Sequence, residues 1–131
     1  MENINKKTAI VTGASSGIGY AVSKTLSALG YELYGFGRNF EHTDWNTMDN
    51  AHPIVCDILD TDKLCVQLRQ ITAQNQVHVL VNNAGIGYYG LHEELNHDKI
   101  KKLVRTNLEA PMILAQQLLR PLKKNAGYII N

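Results

Sequence analysis

The chain has 131 residues, of which 44% are apolar and 19% charged, and its formal net charge is +1. That is the make-up of an ordinary globular protein with one hydrophobic core, expected as a single domain over residues 1–131. The near-neutral charge argues against nucleic acid or an anionic membrane as partner. No apolar run approaches the roughly 20 residues of a membrane span, and MENINKKTAI carries no apolar leader segment, so a cytoplasmic location is expected.

Lys7–Thr12 reads as a first strand and Gly17–Leu29 as a helix with Ile18, Ala21, Val22, Thr25, Leu26 and Leu29 on its inner face, closed by Gly30. Tyr31–Phe36 is rich in β-formers and predicts a second strand. Residues 39–51 show no helical period, so an irregular crossover is expected there, with Trp45 either capping the core or exposed. Pro53–Asp57 predicts a third strand. Asp60 or Thr61 then caps a helix running to about Thr72, with Leu64, Leu68 and Ile71 inward. Val77–Val81 is apolar almost throughout, as in a parallel strand covered on both faces. A loop over Ile86–Leu95 leads to a long helix from His97 to about Lys123, and Gly127–Asn131 begins a fifth strand. The inner face of the long helix is expected to carry Ile100, Leu103, Val104, Asn107, Leu108, Pro111, Leu114, Ala115, Leu118 and Leu122. Right-handed crossovers turn this order into a doubly wound α/β fold, a parallel Rossmann sheet of about five strands in the order 3-2-1-4-5.

The chemistry concentrates at the carboxyl ends of these strands. Gly13-Ala14-Ser15-Ser16-Gly17-Ile18-Gly19 joins the first strand to the first helix. Gly13 permits a tight turn, Gly17 leaves backbone N–H groups open to a pyrophosphate, and Gly19 lets the helix approach the sheet, with phosphates at the positive end of the helix dipole. After the second strand comes Gly37-Arg38-Asn39, with no acid to grip a ribose 2′-hydroxyl. A guanidinium matches phosphate oxygens, so NADP(H) is favoured over NAD(H). Asn82-Asn83-Ala84-Gly85 ends the fourth strand, where ligands of open α/β sheets bind. Pro111 has no N–H and leaves the carbonyl of Asn107 without its helical partner, beside the one strongly polar side chain of that stripe. No metal site is expected: His92 and His97 are five apart and fall on different helix faces. Cys56 and Cys65, not in a C-x-x-C pair, read as reduced buried thiols.

The motif TGASSGIG, followed in order by Asn82-Asn83-Ala84-Gly85 and Asn107, resembles the short-chain dehydrogenase/reductase family over residues 6–131. The resemblance implies an oxidoreductase that moves a hydride between NAD(P)H and a small carbonyl or alcohol substrate. It implies that Asp57 holds the adenine amino group, that Ile58 packs on the ring, and that Asn107 holds a water in the proton relay. The family's catalytic Ser and Tyr-x-x-x-Lys would fall beyond Asn131, so the chain reads as the cofactor-binding portion, inactive alone. The alternative is a non-catalytic dinucleotide-binding or interaction module, or an inactive truncated gene product. An unpaired fifth strand is expected to promote self-association.

Overall fold

A computed structural model describes residues 6–131. The elements are β1 (Thr8–Thr12), α1 (Gly17–Ala28), β2 (Glu32–Gly37), β3 (Ala51–Val55), α2 (Thr61–Gln74), β4 (Val77–Val81), α3 (His97–Val104), α4 (Ala110–Lys124) and β5 (Tyr128–Ile130). Short 3₁₀ turns occupy Trp45–Thr47 and His92–Glu94, and a π-helical segment, Arg105–Glu109, joins α3 to α4. The five strands form one parallel sheet in the order β3-β2-β1-β4-β5. This is the expected order. The third strand begins two residues earlier than expected, and Pro53 is accommodated because β3 is an edge strand.

β1 is buried along its whole length because both faces are covered. Ile10 joins Phe36, Leu64, Leu68, Ile71, Leu80, Leu114, Leu118 and Leu122 on the α2–α4 side. Ala9 and Val11 join Leu33, Trp45, Val79 and Val81 on the α1 side. The alternation along the strand assigns successive residues to opposite layers. Asp60 caps α2 by accepting the Lys63 N–H at 3.2 Å, and Leu64, Leu68 and Ile71 are buried as expected.

Two helical faces depart from expectation. In α1 the buried residues are Gly19 and Ser23, with Val22 and Leu26 packed beside them, whereas Ile18, at 75% exposure, Ala21, Thr25 and Leu29 face outward. Small residues let this helix sit close to the sheet, and an apolar-periodicity reading gives them too little weight. The long helix is not continuous. Pro111 cannot donate, the Ala110 N–H reaches the carbonyl of Arg105 five residues back, and the turn widens. The buried stripe therefore runs through Thr106, Ala110, Leu114, Leu118 and Leu122, while Val104, Asn107 and Leu108 are exposed.

Candidate functional site: a cleft at the carboxyl ends of the strands

The cleft begins where β1 gives way to α1. Gly13 has φ +61°, and a Cβ there would crowd Asn83 Nδ2 at 2.9 Å and Ala84 Cα at 3.0 Å. A Cβ on Gly19 would overlap the carbonyl oxygen of Gly13 and the Asn83 side chain. These two glycines therefore bring β1, α1 and the end of β4 into contact. Nothing lies within 4 Å of where a Cβ of Gly17 would stand, so the first turn of α1 opens into free space. Ser16 caps α1 without any side-chain hydrogen bond, leaving the helix's first N–H groups available.

The buried hydroxyl of Thr12 fastens the strand ends. It accepts the backbone N–H of Asn83 at 3.1 Å and of Ala84 at 3.0 Å, and the Asn83 amide donates to Gly13 O at 3.2 Å. Asn83 is thus a brace beneath the cleft rather than part of its wall. One hollow of about 180 Å³ is walled by Gly13, Ser15 and Ser16 from the turn, Gly37 and Arg38 from the β2 tip, Asp57 and Ile58 after β3, and Ala84 and Gly85 after β4. Nine of the residues singled out in the sequence meet there: Gly13, Ser15, Ser16, Gly37, Arg38, Asp57, Ile58, Ala84 and Gly85.

Arg38 is exposed and makes no ion pair among the described residues. Asn39 turns its amide oxygen back onto the Glu41 N–H at 2.9 Å. Asp57 accepts the Leu59 N–H at 2.9 Å through one carboxylate oxygen, leaving the other for a ligand, and Ile58 is half-buried against the core. Cys56 also lines the hollow. Burial pushes its thiol pKa up, Asp60 and Asp57 add to the rise, and Lys63 opposes it, so the group stays a thiol at neutral pH.

Asn107 lies outside this hollow, in a second one shared with Asn82, Ala84, Gly85, Pro111, Met112, Ile129 and Asn131. Its side chain is exposed, contrary to the inward position expected, and its amide grips one backbone unit at both ends. Nδ2 donates to Ile86 O at 2.7 Å, and Oδ1 accepts the Ile86 N–H at 2.9 Å. Ala84 and Gly85 border both hollows, so one extended ligand could run from Arg38 past the glycine turn to Asn107.

Residues 7–131 match the short chain dehydrogenase family. The chain belongs to that family. Over 130 residues it is 34% identical to the 3-oxoacyl-(acyl-carrier-protein) reductase FabG of Salmonella typhimurium, covering 95% of this chain and 53% of that protein. Over 117 residues it is 32% identical to an NADPH-dependent 3-dehydrocapnine reductase of Ornithobacterium rhinotracheale, covering 85% and 41%. A metagenomic short-chain oxidoreductase solved in complex with NADP superposes with a TM-score of 0.88 at 27% identity, covering 99% of this chain and 62% of that one. The chain thus spans about half the length of the curated relatives it matches.

Within this short-chain dehydrogenase fold, sequence reasoning missed several wall residues: Phe36, Cys56, Leu59, Ile86, Lys102 and Thr106. Lys102 and Thr106 are four apart, a spacing that a continuous helix places on one face. A Tyr-x-x-x-Lys spacing does occur within these residues, at Tyr20–Lys24. The Tyr20 hydroxyl accepts the Asp44 N–H at 2.7 Å and Lys24 pairs with Asp44 at 3.4 Å; neither residue lines either of these two hollows. This pair holds the crossover segment in place.

Proposed function

We propose that the chain is the NADP(H)-binding portion of a short-chain oxidoreductase acting on a small carbonyl or alcohol substrate. The observation that carries this reading is one cleft in which the uncapped N-terminus of α1, the unpaired Arg38 and the free oxygen of Asp57 face the same space. The site's residues fit a dinucleotide. Open space above Gly17 admits a pyrophosphate to the backbone N–H groups of α1. Arg38 suits a 2′-phosphate, and Gly37, against which Ser15 packs, leaves no room there for an acidic side chain. Asp57 and Ile58 would hold the adenine, and Ala84 and Gly85 would let the chain of the cofactor pass toward Asn107. When bound, the nicotinamide supplies or accepts the hydride. The part of Asn107 in this scheme is to fix the Ile86 backbone at the nicotinamide end, its helix widened by the π segment.

Titration of the chain with NADPH and NADH tests the reading. We expect NADPH to bind about tenfold more tightly, as one charge-assisted contact to phosphate provides, and Arg38→Ala to abolish the difference. Equal affinities in the unaltered chain would overturn the cofactor assignment. The resemblance puts the acid/base Tyr and Lys outside these 131 residues, so no turnover of carbonyl substrates above buffer is expected from the chain alone. Self-association through the unpaired edge of β5 belongs to the same proposal.

A further inference from the structure

The crossover between β2 and β3 contains no α-helix, yet it is held firmly. The 3₁₀ turn at Trp45–Thr47 lies within a strap gripped by one face of α1: Tyr20, Lys24 and Ser27, at helical spacing, bind Asp44 N, the Asp44 carboxylate and Asp49 O. What this strap presses inward is Trp45, the only tryptophan, at 1% exposure. Its ring fills the space over Gly35, where any Cβ would overlap it.

Both polar and apolar contacts of Trp45 lead to the same corner of the cleft. Its indole Nε1–H donates to the carbonyl of Ala14 at 3.1 Å, while the N–H of Ala14 donates to Phe36 O at 3.0 Å. The peptide that follows, Ala14–Ser15, is planar and trans, so fixing its carbonyl on the indole aims the Ser15 N–H the opposite way. Ser15 in turn packs against Gly37 beside Arg38. On its other side Trp45 meets Phe40 edge-on, with centroids 5.4 Å apart, and Phe40 lies against Gly37, where a Cβ would stand 3.0 Å from its ring. The two walls of the corner, Ser15 and the Gly37–Arg38 tip, are thus referenced to one indole.

We infer that Trp45 is a positioning residue for cofactor choice: through Ala14 and Phe40 it sets Ser15 and Arg38 against the 2′-phosphate. The inference rests on the proposed dinucleotide reading. It assigns the preference for NADP(H) not to Arg38 alone but to a strap that holds the guanidinium and the serine backbone at one spacing.

The test compares NADPH and NADH affinities of the unaltered chain with those of Trp45→Phe, which keeps a ring and removes the N–H. A residue that only supported the fold would weaken both cofactors alike. We expect the ratio of the two affinities to fall at least about threefold, since one aligned hydrogen bond of the corner is lost. Phe40→Leu, which leaves the indole bond intact, gives the same shift in smaller measure should Trp45→Phe fail to fold. The unaltered chain supplies a third readout, because a single tryptophan gives a single indole N–H resonance. That resonance should move more with NADP⁺ than with NAD⁺. An unchanged ratio in the folded variants, or an indole signal that responds equally to both cofactors, would overturn the inference while leaving the dinucleotide reading standing. Failure of the unaltered chain to bind either cofactor would instead overturn that reading and this inference with it.

Discussion

The two ends of this sheet are finished to different degrees. On the β2 side the backbone of the cleft is braced: Thr12 ties β1 to β4, Trp45 fills the layer below the glycine turn, and Cys56 continues the pairing of β3 by donating its N–H to Gly37 O at 3.0 Å. On the β5 side, Tyr128 and Ile130 are 70% and 53% exposed, and Val104, Leu108, Met112 and Leu119 add apolar surface on the neighbouring helices. The contrast teaches that a cleft can be braced while the layer beside it is still open. The glycine turn, the Gly37–Arg38 tip and Asp57 follow the first three β-strands, of which β1 is buried throughout and β2 over most of its length, while β3 is a half-exposed edge strand. Apolar surface on β5 and α4 has no such cover within residues 6–131 and is of the kind that marks an interface.

The largest effect is expected from closing the contact on which the braced side depends. Gly19→Val puts a branched side chain against the Gly13 carbonyl and Asn83. Overpacking of that kind costs about 1–3 kcal/mol, so thermal melting should fall by several degrees and NADPH binding should be lost, both readable in one thermal-shift titration. A variant that melts and binds like the unaltered chain would show that α1 does not need its close approach. A smaller effect, and one confined to the open side, is expected from Ile130→Lys. A charge on an exposed edge strand opposes pairing with another chain, so sedimentation at micromolar concentration should shift toward monomer with NADPH affinity unchanged. Loss of cofactor affinity in this variant would mean that the two sides are not independent.

The smallest effect concerns the far end of β2. Burial opposes ionisation of Glu32, but hydrogen bonds from His52 and Lys6, and the charges of both, outweigh it and hold its carboxyl pKa below the ordinary value. A carboxyl with a lowered folded pKa stabilises the fold at pH above its unfolded value, near 4.3, and that contribution is lost as pH falls below it. Glu32→Gln should therefore cost up to about 1 kcal/mol at neutral pH and nothing once the acid limb is passed. Denaturant unfolding of both proteins at neutral pH and on the acid limb measures the difference. A gap that stays constant through that range would contradict the ion-pair account.

Much of the architecture was legible in the sequence because its signals are local. The apolar run of β4, the glycine turn after β1 and the cap at Asp60 each depend on neighbours within a few residues, and the strand order follows from handed crossovers. What escaped depends on partners far along the chain. Trp45 lies in a segment with no period, and its burial comes from Gly35 and Ala14, which only the folded crossover brings to it. The role of Thr12 required knowing that β1 and β4 are neighbours. Pro111 correctly marked a break in helical bonding, but the outcome was a widened turn that moved Thr106 inward and left Asn107 at the surface, holding Ile86. In α1 the close approach was foreseen from Gly19, yet the inward face was read from its larger apolar residues and so fell on Ile18 and Leu29.

Amide hydrogen exchange with and without NADP⁺ addresses the difference between the two sides most directly. The account predicts that the cofactor slows exchange in the turn of residues 13–19 and at the tip of residues 37–39, and adds nothing to Tyr128–Ile130. No added protection in the turn, or added protection as large in β5, would contradict it.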